Sequence, residues 1–122
     1  MKKILIVDDE KEILDFFKLR LKDAGYEALT ASSGEEALML ARATPLDLVI
    51  LDIAMPEMDG YETCRRLQSD ARTKGTKVVF LTCKELDTKG ITQRCDETGA
   101  CGYLSKLSDS HELLAEIKSI VG

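Results

Sequence analysis

The chain has 122 residues, 44% of them hydrophobic and 32% charged, with a formal net charge of -5 and an isoelectric point near 4.9. That length suits one domain, residues 1–122, which buries roughly two-thirds of its unfolded surface around a single core, and the composition excludes a disordered chain. The acidic balance argues against a face that neutralises phosphates, so neither direct nucleic-acid contact nor membrane contact is expected.

Short apolar runs alternate with longer segments of helical period, which is the pattern of βαβ units and a parallel sheet. Met1, Lys2 and Lys3 lead straight into ILIV and then two aspartates. That apolar stretch is too short for a signal peptide or a membrane span, so a cytoplasmic location is expected. Residues 3–7 form the first expected strand. Leu14, Phe17, Leu21 and Ala24 then recur at helical spacing, with Gly25 as the stop.

Residues 26–30 make a weaker second strand. Residues 34–42 follow as a second helix, with Ser32 and Ser33 as capping candidates and Pro45 beyond its end. Residues 46–51 form the third strand, another continuous apolar run suited to burial on both faces. A third helix is expected over 59–67, then strands over 78–81 and 101–104. Between those two strands, residues 85–98 hold Gly90 and three threonines, so the fourth helix is expected to be marginal and mobile. The fifth, 111–121, begins after Asp109 with Glu112 three positions on, which suggests a capping box.

Five βα units with right-handed crossovers leave an open doubly wound sheet or part of a barrel, and eight strands for a barrel are not found. The expected fold is therefore α/β: a single doubly wound, five-stranded parallel sheet of order 2-1-3-4-5 with helices on both faces. Ligands of such sheets bind beyond the carboxyl ends of the strands. At those ends stand Asp8 and Asp9, then Asp52, Thr82 and Lys106.

Three carboxylates in one cleft would repel by about 4 kcal/mol per pair near 4 Å at an effective dielectric of 20, so a cation is required. Oxygen-only ligands select a hard ion, and few protein ligands plus water suit Mg²⁺, with Mn²⁺ as a substitute. A carboxylate held against such an ion can attack phosphorus, while Lys106 and Thr82 supply an ammonium and a hydroxyl to the phosphoryl oxygens. Each residue alone has a plainer reading: helix N-cap, turn hydroxyl, solvated charge. Their joint occurrence favours phosphoryl transfer.

The segments ILIVDD, LVILDIAMPEMDG, VVFLT and YLSK, in this order, resemble the receiver domains of bacterial two-component response regulators, and the resemblance runs the whole chain. It implies a phosphoacceptor signalling domain rather than a conventional enzyme. Asp52 would take a phosphoryl group from a histidine kinase or phosphotransfer protein and the domain would assist its own phosphorylation and dephosphorylation. Asp9 and Asp52 would hold Mg²⁺, with Asp8 supporting these ligands or acting through water and the Ala54 carbonyl completing the set. Thr82 and Tyr103 would switch the face of fourth helix, fifth strand and fifth helix, which signals to a downstream partner or output domain. Met55, Pro56 and Gly60 read as loop formers.

Three departures from the family pattern stand out. Leu107 follows Lys106 where proline is usual, Cys83 follows Thr82 where a smaller residue is common, and Ala54 cannot reach the site with its side chain. Lys84 is placed to approach the anionic rim, so its substitution is expected to change phosphoryl lifetime more than one at Ala54. Rival readings fare worse. A haloacid-dehalogenase-like phosphatase needs a second aspartate where Ala54 stands, and a flavodoxin needs a phosphate loop where Asp8, Asp9 and Glu10 would repel phosphate. The alternative of weight is a pseudo-receiver, an interaction module that is not phosphorylated. The four cysteines, without CxxC spacing, read as reduced, mostly packed thiols.

Overall fold

The computed structural model describes residues 1–82, 88–106 and 109–122, with the backbone alone at 88 and 89. Five strands alternate with five helices: β1 (Lys3–Val7), α1 (Lys11–Asp23), β2 (Glu27–Ala31), α2 (Gly34–Ala43), β3 (Leu48–Asp52), α3 (Gly60–Ser69), β4 (Lys77–Thr82), α4 (Thr88–Thr98), β5 (Gly102–Ser105) and α5 (Ser110–Val121). The sheet is parallel throughout, in the order β2-β1-β3-β4-β5 that the sequence implies.

Alternation along the strands divides the core in two. Ile4, Ile6, Leu48, Ile50, Val79, Leu81 and Leu104 face α1 and α5, meeting Phe17, Leu21, Leu113 and Ile117. Leu5, Val7, Val49, Leu51, Val78 and Phe80 face α2, α3 and α4. The three central strands are apolar on both faces because both are covered, which is why they read as unbroken runs rather than alternations.

Helix ends follow local chemistry. Ser33, not Ser32, caps α2, its hydroxyl accepting the Glu36 amide at 3.1 Å, while the Ser32 amide donates to the Glu36 carboxylate at 3.2 Å. Asp109 caps α5 by accepting the Glu112 amide at 2.9 Å. At the end of α1, Gly25 takes φ +91° and the Tyr26 amide returns to the Leu21 carbonyl at 2.9 Å. A residue with a Cβ resists that left-handed turn.

Several boundaries move by a residue or two from the sequence expectation. Asp52 and Thr82 are the last residues of β3 and β4 rather than the first beyond them, since the ladder continues through Asp52 opposite Leu81 and Thr82 opposite Ser105. The fourth helix is present from Thr88 and buries Ile91 and Cys95 against the sheet. The expected helical residues 85–87 lie outside the described residues.

Candidate functional site

Two strand ends and a loop build the site. Val7 is buried at the end of β1, and the chain then turns so that the Asp8 amide donates to the Ala31 carbonyl at 3.1 Å. Asp8 Oδ1 accepts the Glu10 amide at 2.9 Å, which fixes its carboxylate under the start of α1. Asp8 is not the N-cap of α1, since Glu10 holds that position; its carboxylate instead steadies the turn that leads into the helix.

Asp52 closes β3, a strand with no exposed residue, and is itself 4% exposed. The following loop returns at once: the Gly60 amide donates to the Ile53 carbonyl at 2.9 Å, and a Cβ on Gly60 would collide with the Asp52 carbonyl oxygen. The first turn of α3, capped by Asp59 on the Glu62 amide, is therefore seated against the backbone of Asp52. Gly60 is needed for this close approach rather than for an unusual φ.

Lys106 joins the two. Its amide donates to the Thr82 carbonyl at 2.7 Å, continuing the β4–β5 ladder one residue past the strand. Its ammonium stands 2.8 Å from Asp8 Oδ2 and 3.4 Å from Asp52 Oδ1. Burial, first, and then the charge of Asp8 push the Asp52 carboxyl up to about 6 against the opposing pull of Lys106, with Asp9 adding to the rise. For Lys106, burial works to lower the ammonium, but its contacts with Asp8 and Asp52 outweigh that and hold it above the ordinary lysine range.

The residues suit a hard divalent cation. Asp8 is fully buried, and its Oδ2 meets the ammonium as a charge contact outside hydrogen-bond geometry while taking no hydrogen bond from any described residue. Carboxylate oxygens of Asp8, Asp9 and Glu10 lie within 4.8 Å of one another. A donor set made only of oxygens selects Mg²⁺ or a similar ion over softer metals.

Of the residues anticipated from sequence, Asp8, Asp52 and Lys106 come together directly, Asp9 is exposed at the mouth, and Thr82 is buried at the end of β4. Ala54 is exposed in the loop after β3, and Tyr103 is 38% exposed on β5, opposite Phe80. Cys83, Lys84 and Leu107 lie outside the described residues. Sequence reasoning had not given Glu10 a place here, yet its Oε1 is 3.4 Å from the Lys106 ammonium. The third acid of the Asp8-Asp9-Glu10 run was the available signal.

A buried acid at the end of a central strand, tied to a lysine beyond β5 on this strand order, defines a receiver class of α/β domain. The description "response regulator receiver domain" matches residues 4–118, and the chain belongs to that family of two-component signalling domains. It is 36% identical over 120 residues to the alkaline phosphatase synthesis transcriptional regulatory protein PhoP of Bacillus subtilis, covering 98% of this chain and 48% of that one. It is 36% identical over 118 residues to the response regulator PleD of Caulobacter vibrioides, covering 97% and 26%. The chain thus spans about half the length of the first relative and about a quarter of the second. Among solved structures, chemotaxis protein CheY4 of Vibrio cholerae superposes with a TM-score of 0.90 at 34% identity, covering 98% of both chains. No helix among the described residues is long and apolar enough to cross a membrane.

Proposed function

We propose that residues 1–122 form one phosphoacceptor domain in which Asp52 takes a phosphoryl group from a histidine kinase or phosphotransfer protein. The observation that carries this reading is the buried Asp52 carboxyl beside the Lys106 ammonium at 3.4 Å. An acid that is 4% exposed there is largely shielded from water. A carboxyl pushed up to about 6 is still largely ionised at neutral pH, so it retains a nucleophilic oxygen.

Asp9 and Asp52, with the Ala54 carbonyl, would hold Mg²⁺, or Mn²⁺ in its place, Asp8 supporting these ligands or acting through water. Such an ion supplies positive charge to the phosphoryl oxygens as an oxygen of Asp52 approaches phosphorus. In the transfer, a carboxylate oxygen of Asp52 bonds to phosphorus as the bond to the donor's imidazole nitrogen breaks. Lys106, freed from part of its pairing with Asp8, follows the new negative charge. Thr82, two residues beyond Phe80 on the same strand, offers its hydroxyl to a phosphoryl oxygen.

The change of charge then moves to the face of α4, β5 and α5. Tyr103, half turned to solvent on the edge strand, rotates inward as Thr82 turns toward the phosphoryl group, and a downstream partner or output domain reads the altered face. Cys83 and Lys84, directly after Thr82 in the sequence, would tune phosphoryl lifetime in this reading.

Intact-protein mass after incubation with a small phosphodonor and Mg²⁺ tests the chemistry, with Asp52→Ala and a metal-chelated sample as controls. One phosphate on the parent, in Mg²⁺ only, is expected. No adduct under rapid quenching, with Mg²⁺ binding verified, would replace this reading with that of a pseudo-receiver.

A further inference from the structure

Three thiols from three different elements gather where α4 ends. Cys64 lies on α3, fully buried, and donates through its sulfur to the Thr98 carbonyl at 3.4 Å. Cys95 lies in the last turn of α4 and is 6% exposed. Cys101 is exposed in the short link between α4 and β5. All three are free thiols.

The backbone brings Cys101 back toward Cys95. Gly99 takes φ +83°, and the amides of Gly99 and Ala100 both return to the Cys95 carbonyl, at 2.9 and 3.0 Å. This is the six-to-one closure of a Schellman turn, with Cys95 as its acceptor. Cys101 is the next residue after that closure, and its own amide is fixed on the Val78 carbonyl at 2.7 Å. Burial holds the Cys95 thiol above the ordinary range, with Asp96 and then Cys101 adding to the rise.

Among the described residues the mutual oxygen or sulfur spacing of a metal-binding triad is reached by Asp8, Asp9 and Glu10 and not by these cysteines. Cys64 is the poorest member of any pair: burial pushes its thiol up to about 11, and its sulfur is engaged with Thr98. Cys101 meets solvent, and Cys95 shares its turn.

We infer that Cys95 and Cys101 form an oxidation-sensitive dithiol that closes to an intramolecular disulfide across the end of α4. The co-reactant is a hydroperoxide. The Cys101 sulfur attacks the peroxide, an S–O bond forms as the O–O bond breaks, and water or alcohol leaves with the proton. The Cys95 sulfur then attacks Cys101, an S–S bond forms, and the oxygen departs as water. The two thiols supply the two electrons that the peroxide accepts. The bond would fasten the last turn of α4 to the entrance of β5. Its effect on signalling rests on the switch face proposed above, but its formation does not.

Trypsin cleavage after Arg94 and Lys106 leaves both cysteines on one peptide, which makes the test direct. The full chain is treated with limiting hydrogen peroxide, blocked with an alkylating agent and digested. The expected 95–106 peptide is lighter by two hydrogen atoms and takes no alkyl group until reduced. Cys83→Ala should oxidise as the parent does, whereas Cys95→Ser and Cys101→Ser should each lose the bridge. Prior unfolding in urea should slow closure about tenfold, because the turn supplies a high effective concentration of one thiol at the other. A 95–106 peptide that keeps two alkylatable thiols, a bridge to Cys64 or Cys83, a Cys101-linked dimer, or equal rates with and without urea would each overturn the inference. Phosphoryl uptake on Asp52 is a separate readout, so its failure would not be mistaken for failure of the bridge.

Discussion

β3 and β5 deliver site residues to the same edge of the sheet, yet they are built in opposite ways. Every residue of β3 is buried, and the strand is hydrogen-bonded between β1 and β4. β5 has four residues, pairs only with β4, and buries Leu104 alone. A central strand surrounded by close packing holds its terminal residue, Asp52, to one position, because any displacement opens voids on both sides. An edge strand with Tyr103 half in solvent can change its side-chain arrangement with little loss of packing.

Core truncations should separate the two most strongly. Leu51→Ala is expected to cost about 3 to 5 kcal/mol in urea unfolding, as a fully buried leucine with no room to collapse. Leu104→Ala, the same cut on β5, should cost about 2 kcal/mol, the low end for buried leucine truncations. Equal losses would break the contrast between a rigid centre and a yielding edge.

Lys106→Ala comes next. It leaves Asp8 fully buried and Asp52 nearly so without their ammonium, and removing one partner of a buried pair typically costs about 3 kcal/mol. Measured in chelator, the loss should shrink when Mg²⁺ is restored. An unchanged loss would mean that the carboxylates do not share a cation.

Asp52→Asn should act in the opposite direction. Folding raises the Asp52 carboxyl from 3.8 to about 6, so the native state resists its ionisation. Well below pH 3.8 both states keep the proton and nothing is lost. As pH rises from about 4 to about 6 the unfolded chain ionises first, stability falls, and the loss is complete above 6. The asparagine variant escapes that loss, so in chelator it should be more stable than the parent at pH 7.5 by about 2 to 3 kcal/mol and similar at pH 4. Denaturation curves at the two pH values give the comparison. A gain of the same size at both would remove Asp52 as its source.

The smallest effect belongs to the edge side. Asp109→Ala removes the cap from the Glu112 amide and should lower stability by about 1 kcal/mol without altering Mg²⁺ affinity. Calorimetry with and without the ion separates the two.

The centre of the molecule was also the more legible part in sequence. ILIV and LVIL announce strands buried on both faces, which places β1 and β3 inside the sheet rather than at its edges. Strand ends were less legible: an apolar run stops at Leu51, but backbone pairing continues through Asp52 because a ladder bond does not depend on the polarity of the side chain. Glu10 was hidden for a different reason. Its contact spans 96 positions to Lys106, and no local pattern encodes which of three adjacent acids turns toward a lysine so far along the chain. The clamp of Arg42 and Arg72 on Asp70 escaped in the same way, joining the end of α2 to the turn after α3. Thr73 also gave no warning of its burial, since its hydroxyl finds the Leu67 carbonyl only after the chain has turned.

The bond from the Lys106 amide to the Thr82 carbonyl has a consequence for timing. With the lysine backbone fastened to the ladder, the ammonium can leave Asp8 for Asp52 by rotation of its own methylene arm, with no backbone rearrangement. Side-chain rotamer changes of that kind take on the order of nanoseconds when unobstructed, whereas collective shifts of helices take microseconds or longer. In the proposed switch, charge redistribution around the acid would therefore be complete long before the outer face responds, and the interval between them would belong to α4 and β5.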